Sequence, residues 1–143
     1  MSKYTPKAID YTTLGGRIKS ERLRLCYSQK SLSNIIGTTE SAINNYERNT
    51  CEPSKDILKK LLNIVDKNFI ISNDEYIEFL LSDYVSKLKK WRSENNLSLR
   101  AAARILGVDQ SSYQSWESST YNISRKTYYK IRDKLNEIIK GRD

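Results

Sequence analysis

The 143-residue chain has no histidine and only two cysteines, Cys26 and Cys51. The absence of histidine removes the commonest general base and the imidazole ligands of metal sites. Two cysteines that form no CxxC pair cannot supply the four ligands of a structural zinc site. Only five glycines are present, which leaves little material for a glycine-rich phosphate loop. We therefore expect no enzyme, no cofactor and no metal.

Long apolar segments are absent as well. The sequence contains no run of about 18 apolar residues, the length that a membrane-spanning helix needs. Its first residues lack the apolar core of a secretory signal. These features predict a cytoplasmic protein without a membrane partner, in which the two cysteines stay reduced.

Positive charge is what the chain has in excess. Lys and Arg total 25 against 17 Asp and Glu, so the formal net charge is +8. Residues 1–82 hold 12 basic and 10 acidic residues, a net of +2, whereas 83–143 hold 13 and 7, a net of +6. A basic chain without catalytic chemistry favours binding of a polyanion, with nucleic acid the first expectation.

The apolar residues recur at helical spacing, and there is almost no strand signal. Between 13 and 65 the pattern predicts at least four short helices in succession. The residues predicted to cap their N-termini are Thr13, Ser28, Thr38 and Ser54. Gly37 lies between the second and third helices, where a sharp turn needs a positive φ.

The second half of the chain repeats the first with a shift of 70 residues. Aligning 17–60 with 87–130 without a gap gives 10 identities in 44 positions, against about 3 expected by chance from ordinary residue frequencies. The identities include the turn glycine, Gly37 and Gly107, and one Arg–Glu pair. The chain is therefore an internal repeat of one helical unit.

A further helical pattern between the two copies either breaks near Ser82 and Asp83 or continues as one long helix. Asp83 matches the capping residue Thr13 of the first copy, which favours the break. The sequence thus predicts an all-α protein with two units joined by a helical linker. Its expected parts are an N-terminal arm at 1–12, a first domain at 13–81 and a second, more divergent domain at 82–143.

Five residues of the first copy have a characteristic spacing: Gln29, Ser33, Gly37, Ile43 and Tyr46. This spacing resembles the helix-turn-helix signature of the lambdoid-phage repressors, the XRE or Cro/C1 family. The second copy has Leu99, Ala103, Gly107, Tyr113 and Trp116 at the same positions. The resemblance covers about 14–81 and 84–140, and it implies two tandem lambda-repressor-like bundles. It also fits a physical requirement, because two closely crossing helices need a small side chain at their contact.

The resemblance implies that the third helix of each unit reads base edges in the major groove. The base-reading candidates are Thr39, Glu40, Ser41, Asn44 and Asn45 in the first copy and Gln110, Ser111 and Gln114 in the second. Asn and Gln pair bidentately with adenine, whereas Glu40 could accept from cytosine or repel phosphate. A solvated helix face is the simpler alternative, although such a face more often carries Lys and Glu.

Two further sets of residues follow from the resemblance. The phosphate-contact candidates are Arg17, Ser28, Gln29, Lys30, Arg48 and Asn49 in the first copy and Ser98 and Arg100 in the second. The structural ion pairs, tying the first helix of each unit to the end of its third, are Arg22 with Glu47 and Arg92 with Glu117. Breaking a buried pair of this kind is expected to be costly.

The second copy departs from the pattern, because Leu99 replaces Gln29 and Ser118 replaces Arg48. Asp109 would face phosphates unfavourably and is predicted to cap its own helix instead. The larger positive charge of this half favours a DNA contact, whereas Leu99 leaves a protein-binding role open. The aromatic residues near its basic side chains are expected to pack in the core rather than stack on bases: Tyr121, Tyr128 and Tyr129.

Together these features predict a sequence-specific, double-stranded-DNA-binding transcriptional regulator, a repressor of the phage or mobile-element kind, associated with the nucleoid through DNA. The alternative is a helix-turn-helix scaffold that binds a protein partner, as an antitoxin, a polymerase recruiter or an inhibitor would. The state on DNA, monomer or homodimer, is left open by the sequence.

Overall fold

The computed structural model describes residues 8–140, which form ten α-helices and no strand. The helices are α1 (Leu14–Arg24), α2 (Gln29–Ile36), α3 (Glu40–Glu47), α4 (Lys55–Leu62), α5 (Lys67–Ile71), α6 (Glu75–Leu81), α7 (Tyr84–Glu94), α8 (Leu99–Leu106), α9 (Gln110–Glu117) and α10 (Arg125–Lys140). The predicted all-α class is confirmed. Residues 1–7 of the predicted N-terminal arm lie outside the described part of the chain, as do 141–143.

The chain divides into two compact units, the first ending at Asp74 and the second beginning at Glu75. The sequence placed this boundary seven residues later, after Leu81. Helix α6 belongs to the second unit because the Tyr76 hydroxyl donates to the carbonyl oxygen of Ile123 at 2.6 Å. The Phe79 ring also stacks on the ring of Tyr84, with their centroids 4.5 Å apart.

The first unit encloses a small aliphatic core. Helix α3 packs against both α1 and α2, and Ser33 is 2% exposed at the point where α2 needs a small side chain. The fully buried apolar residues of this unit are Ile18, Leu32, Ile43, Leu58, Leu61 and Ile70. This core holds the turn between α2 and α3 in place.

In the second unit, helices α7 to α10 repeat the order of α1 to α4 around a more aromatic core, and α6 precedes them. Tyr84, Tyr113 and Tyr128 are among its fully buried side chains, so tyrosine does here the packing that aliphatic residues do in the first unit. Burial and the neighbouring Glu75 carboxylate raise the pKa of Tyr128 to about 12. Core packing was also expected for Tyr121 and Tyr129, and this is wrong, since they are 71% and 45% exposed.

The two units end differently. In the first, α4 stops at Leu62 and the short helix α5 begins after Asp66, whose side chain accepts from the N–H of Phe69. In the second, α10 runs unbroken for 16 residues. The residue of α10 that matches Asp66 is Asn136, which lies inside the helix.

The predicted N-caps Thr13, Ser28 and Ser54 are confirmed, each accepting a hydrogen bond from a backbone N–H of its helix. The cap assigned to Thr38 is wrong by one residue. Thr39 caps α3 and accepts from the N–H of Ala42 at 3.1 Å. Thr38 instead closes the preceding turn, because its N–H donates to the carbonyl oxygen of Ser33.

The linker helix breaks as predicted, and Asp83 caps α7 by accepting from the N–H of Ser86 at 3.3 Å. Asp109 likewise caps α9, accepting from the N–H of Ser112 at 2.7 Å. Hydrogen bonding from the side chain and the backbone N–H of Ser112 holds the pKa of Asp109 below its ordinary value. Among the described helices, none combines the length and apolarity needed to cross a membrane.

Candidate nucleic-acid interface

Each unit contains two short helices that cross closely and are joined by a tight turn. In the first unit, Gly37 adopts a φ of 75° between α2 and α3; in the second, Gly107 adopts a φ of 76° between α8 and α9. This left-handed conformation is open to glycine at little cost. The two glycines that match in the repeat therefore form the same left-handed turn in both units.

Helix α3 has a buried face and an outward face. Ile43 is fully buried and seats the helix on the core. On the outward side, Glu40 and Ser41 are exposed, while Asn44 and Asn45 are half-buried. The exposed Thr39 lies at the start of the same face, with its hydroxyl oxygen engaged in the cap. The structure thus brings the five base-reading candidates of the first unit to one helix and its cap.

The N-terminus of α2 includes Ser28 and Lys30, two of the predicted phosphate-contact residues. The Ser28 hydroxyl caps the helix, accepting from the N–H of Ser31 at 3.0 Å and donating to the Ser31 Oγ at 2.9 Å. Lys30, the second residue of the helix, is exposed. Helix N-termini present backbone N–H groups and a positive dipole end to anions. Lys30 is therefore exposed beside these N–H groups, whereas the hydroxyl hydrogen of Ser28 is already used within the cap.

Gln29 is directed towards α3 instead of outward. Its Nε2 lies 3.2 Å from Glu47 Oε1 and 3.4 Å from Asn44 Oδ1. The side chain was expected to contact phosphate, but its amide nitrogen is engaged within the unit. The backbone N–H of Gln29 remains at the N-terminus of α2, beside the cap. No pattern in the sequence indicated this contact with Asn44.

Arg17 cannot serve as the phosphate contact that was expected, since it is only 3% exposed. Its Nη2 lies 2.6 Å from Asp74 Oδ2, and its Nε donates to the carbonyl oxygen of Ile70 at 2.9 Å. The remaining Nη1 donates to the carbonyl oxygen of Tyr11 at 3.0 Å. This network fastens α1 to the last residues of the first unit. Arg17 is therefore a structural residue and not the predicted phosphate contact.

The segment after α3 has two different roles. Arg48 ends the helix and is exposed, as a phosphate contact requires. Asn49 adopts a φ of 61°, and its Oδ1 accepts from the N–H of Gly15 at 2.9 Å. Its oxygen is therefore used to cap the start of α1, a role that the sequence did not indicate. Gly15 permits this approach because a Cβ there would meet the Asn49 Oδ1 at 2.6 Å.

The structure brings together both predicted Arg–Glu pairs. Arg22 Nε and Nη2 donate to the two oxygens of Glu47 at 2.6 and 3.0 Å. Arg92 does the same to Glu117 at 2.8 and 3.1 Å. Burial acts most strongly on Glu117 and disfavours its charge, but the Arg92 hydrogen bonds and charge outweigh it, so the pKa of Glu117 is lowered. The first pair holds the end of α3 to α1, and the second holds the end of α9 to α7.

The second unit presents a comparable polar face. Gln110, Ser111 and Gln114 are exposed on α9, and Arg100 is exposed near the start of α8. Ser98 caps α8 by accepting from the N–H of Ala101 at 3.0 Å. Tyr121 follows α9 in the loop, where the first unit has Cys51, and its side chain is largely exposed.

A model of the helix-turn-helix family matches the chain twice, over residues 18–69 and 88–138. These two matches cover most of the chain and contain both turn glycines. The chain belongs to the XRE-type helix-turn-helix family, and it carries two tandem copies of the family domain. This confirms the resemblance read from the sequence. The fold and family of this XRE-type chain are those of DNA-binding transcription regulators.

Among characterised proteins, the chain is similar to the HTH-type transcriptional regulator ImmR of Bacillus subtilis (strain 168). The two are 30% identical over 77 residues, which is 52% of this chain and 61% of ImmR. The aligned part thus spans less than two thirds of that relative's length. No solved structure matches the chain.

Proposed function

We propose that this protein is a sequence-specific, double-stranded-DNA-binding transcriptional regulator, and that it acts as a repressor of the phage or mobile-element kind. The observation that carries the proposal is the outward face of α3, which presents Glu40, Ser41 and Asn45 from a helix of eight residues. A helix of this size fits the major groove, where short polar side chains reach base edges.

Phosphate contacts position such a helix and base contacts give it specificity. The N-terminus of α2, with Ser28 and Lys30, and the exposed Arg48 after α3 lie on either side of the proposed reading helix in the sequence. Arg48 supplies charge, whereas the α2 terminus supplies N–H groups and its dipole. Ser98 and Arg100 are the matching proposals in the second unit. Repression follows when the bound protein occupies a promoter.

Two units in one chain change the expected operator. Half-sites about one helical turn, or about 34 Å, apart are typical for a pair of helix-turn-helix units. One chain would occupy two such half-sites, and a homodimer would span four. Linking two weak readers raises affinity by about 10²–10⁴ when both engage together.

A binding measurement with two matched variants tests the proposal. Fluorescence anisotropy with labelled genomic duplexes, competed by unrelated DNA, separates specific from general binding. We expect Asn45→Ala to remove specific binding and Gln114→Ala to weaken it less, because Gln114 lies in the more divergent unit. Loss of specificity only in Gln114→Ala would move the reading to the second unit. A log–log salt slope of about −0.9 per neutralised phosphate supports DNA binding, and a flat response contradicts it.

The second candidate function is protein binding through the second unit. It is favoured by a groove between α8 and α10, where the half-exposed Ile105 and Tyr129 lie beside Lys130 and Lys134. A partner segment with an apolar side chain next to acidic ones would suit this groove. Ile105→Ser would weaken a protein contact and leave DNA affinity unchanged, whereas loss of DNA affinity in that variant would argue against this candidate.

A further inference from the structure

One large apolar residue is exposed at the same position in both units. Ile35 is 48% exposed near the end of α2, and Ile105 is 43% exposed near the end of α8. These two isoleucines form the only pair of identical large apolar residues in the repeat. By contrast, Leu23 is also 48% exposed, and its matched residue in the second unit is Ser93.

Packing within the units does not explain why this isoleucine is kept. The core has changed at every fully buried apolar position of the first unit, since none of these residues has an identical match in the second: Ile18, Leu32, Ile43, Leu58, Leu61 and Ile70. A half-exposed helix position has more freedom still, and Ala, Lys or Glu would form the helix better than isoleucine. The retained isoleucine therefore argues for a contact outside its own unit.

A matched lysine lies beside each isoleucine. In the first unit, a Cβ at Gly37 would lie 3.7 Å from the Lys60 Nζ, so this ammonium group lies next to the turn that follows Ile35. In the second unit, Lys130 and Ile105 line the same groove between α8 and α10. Both lysines are exposed, and neither forms a salt bridge within residues 8–140. We call these two surfaces the Ile–Lys sites.

The charge next to the isoleucine is positive in both units. The second groove also contains two carboxylates, Asp133 and Glu137, but each lies 3.8 Å from a basic side chain of α10. Among the described residues, Lys130 is thus the one charged side chain of this groove without an ion-pair partner. The matched positions of the first unit hold Asn63 and Lys67, neither of which is negatively charged.

We propose that each Ile–Lys site binds an acidic segment of a partner protein, in which an apolar side chain lies next to a carboxylate. The apolar side chain covers the isoleucine, and the carboxylate pairs with Lys60 or Lys130. Removal of the remaining apolar surface from water gives affinity, whereas the charge selects the segment. This proposal deepens the second candidate function, on which it rests, and extends it to the first unit. It does not depend on base reading by α3.

The Ile–Lys site of the first unit is separate from the proposed phosphate contact on the same helix. Ile35 lies about 8 Å along the axis of α2 from Lys30 and about 140° around it. The two side chains therefore leave α2 on different sides. A partner segment on Ile35 and DNA at the N-terminus of α2 can be bound at the same time, so DNA affinity should not depend on Ile35.

The test uses the full chain and a displayed library of random peptides. We expect the unaltered chain to enrich peptides with an apolar residue next to Asp or Glu, and calorimetry to show that such a peptide binds at two sites per chain. Ile35→Ser and Ile105→Ser should each weaken one of these sites by about fivefold. The double variant of Lys60→Glu with Lys130→Glu should enrich peptides with Lys or Arg instead.

Leu23→Ser is the matched control, because it removes an equally exposed apolar side chain and installs the residue of the second unit. It should leave peptide binding unchanged. The proposal is overturned if no acidic, apolar peptides are enriched, or if Leu23→Ser weakens binding as much as Ile35→Ser.

Two measurements on the double variant of Ile35→Ser with Ile105→Ser exclude other occupants of the sites. Its DNA affinity and its sedimentation coefficient should equal those of the unaltered chain. A loss of DNA affinity would assign the two sites to DNA, and a slower sedimentation would assign them to a second copy of the chain; either result overturns the proposal. Absence of sequence-specific DNA binding by the unaltered chain would contradict the proposed regulator and leave the peptide result unaffected.

Discussion

The guanidinium of Arg22 donates to both carboxylate oxygens of Glu47, which lies 25 residues further along the chain. Its third nitrogen donates to the carbonyl oxygen of Tyr27 at 2.8 Å. One side chain thus joins α1, the loop before α2 and the last residue of α3. The helix proposed to read DNA is held at its C-terminal end by this contact.

Loss of the Arg22 side chain is expected to destabilise the first unit strongly. Its partner Glu47 is 3% exposed, so Arg22→Ala leaves a buried carboxylate unpaired and should lower the free energy of unfolding by about 3 kcal/mol. Urea unfolding followed by circular dichroism measures this. The double variant Arg22→Met with Glu47→Leu should recover most of the loss. The exposed control Lys59→Ala should change the free energy of unfolding by less than about 0.5 kcal/mol. Equal losses in Arg22→Ala and Lys59→Ala would disprove a buried pair.

Arg17 and Lys30 should behave oppositely, although both were phosphate candidates from the sequence. Arg17→Ala leaves Asp74 buried without its guanidinium and should cost about 3 kcal/mol of unfolding free energy. The salt slope of DNA binding by the folded protein should not change. Lys30→Ala should leave stability intact and reduce that slope by about 1. A reduced salt slope with unchanged stability in Arg17→Ala would contradict the structural role.

A methyl group at Gly15 should displace the last turn of α3. The added Cβ would meet the carbonyl oxygen of Tyr46 and come within 2.8 Å of that of Glu47. Backbone oxygens cannot rotate aside, so we expect Gly15→Ala to cost about 1–3 kcal/mol of unfolding free energy. The control on the same helix is Ser20→Ala, which should not lose stability because Ala favours helix. If Gly15→Ala unfolds at the same urea concentration as the unaltered chain, the close approach is not present.

Stability of the second unit should depend on pH through Glu117. Because its pKa is lowered in the folded state, the Arg92–Glu117 pair stabilises the unit above the ordinary glutamate pKa of 4.5. That contribution is lost as the pH falls through the lowered folded value. The stability difference between the unaltered chain and Glu117→Gln should therefore shrink from about pH 6 to about pH 3.

Fluorescence isolates this effect, because both tryptophans of the chain, Trp91 and Trp116, are in the second unit. Urea unfolding followed by tryptophan emission therefore reports on that unit alone. A difference that stays constant over the whole pH range would show that Glu117 is not stabilised as a carboxylate by Arg92.

Much of the fold could be predicted from the sequence, because its signals are local or repeated. The caps Thr13, Ser28 and Ser54 act within one helical turn, and Gly37 and Gly107 mark a turn whose backbone needs glycine. The Arg–Glu pairs were expected from the family resemblance, and both partners recur in the second copy. The N-cap predicted at Thr38 was wrong by one residue, because the same residue types cap helices and close turns.

What the sequence did not reveal depends on distant partners. The assignment of α6 to the second unit rests on Tyr76, whose acceptor at Ile123 is 47 residues away. The burial of Arg17 rests on Asp74, 57 residues away. For Tyr121, the repeat offered no guide, because Cys51 stands at the matched position. Residue type alone does not distinguish a surface arginine or tyrosine from a buried one.

Selection of bound duplexes from a random pool tests the central claim most directly, with the unaltered chain and Asn45→Ala compared at equal helix content. We predict that the unaltered chain enriches a defined sequence, and that Asn45→Ala loses preference at one or two positions of it while binding DNA in general. Enrichment of no sequence by the unaltered chain, or of the same sequence by both proteins, would contradict base reading by α3.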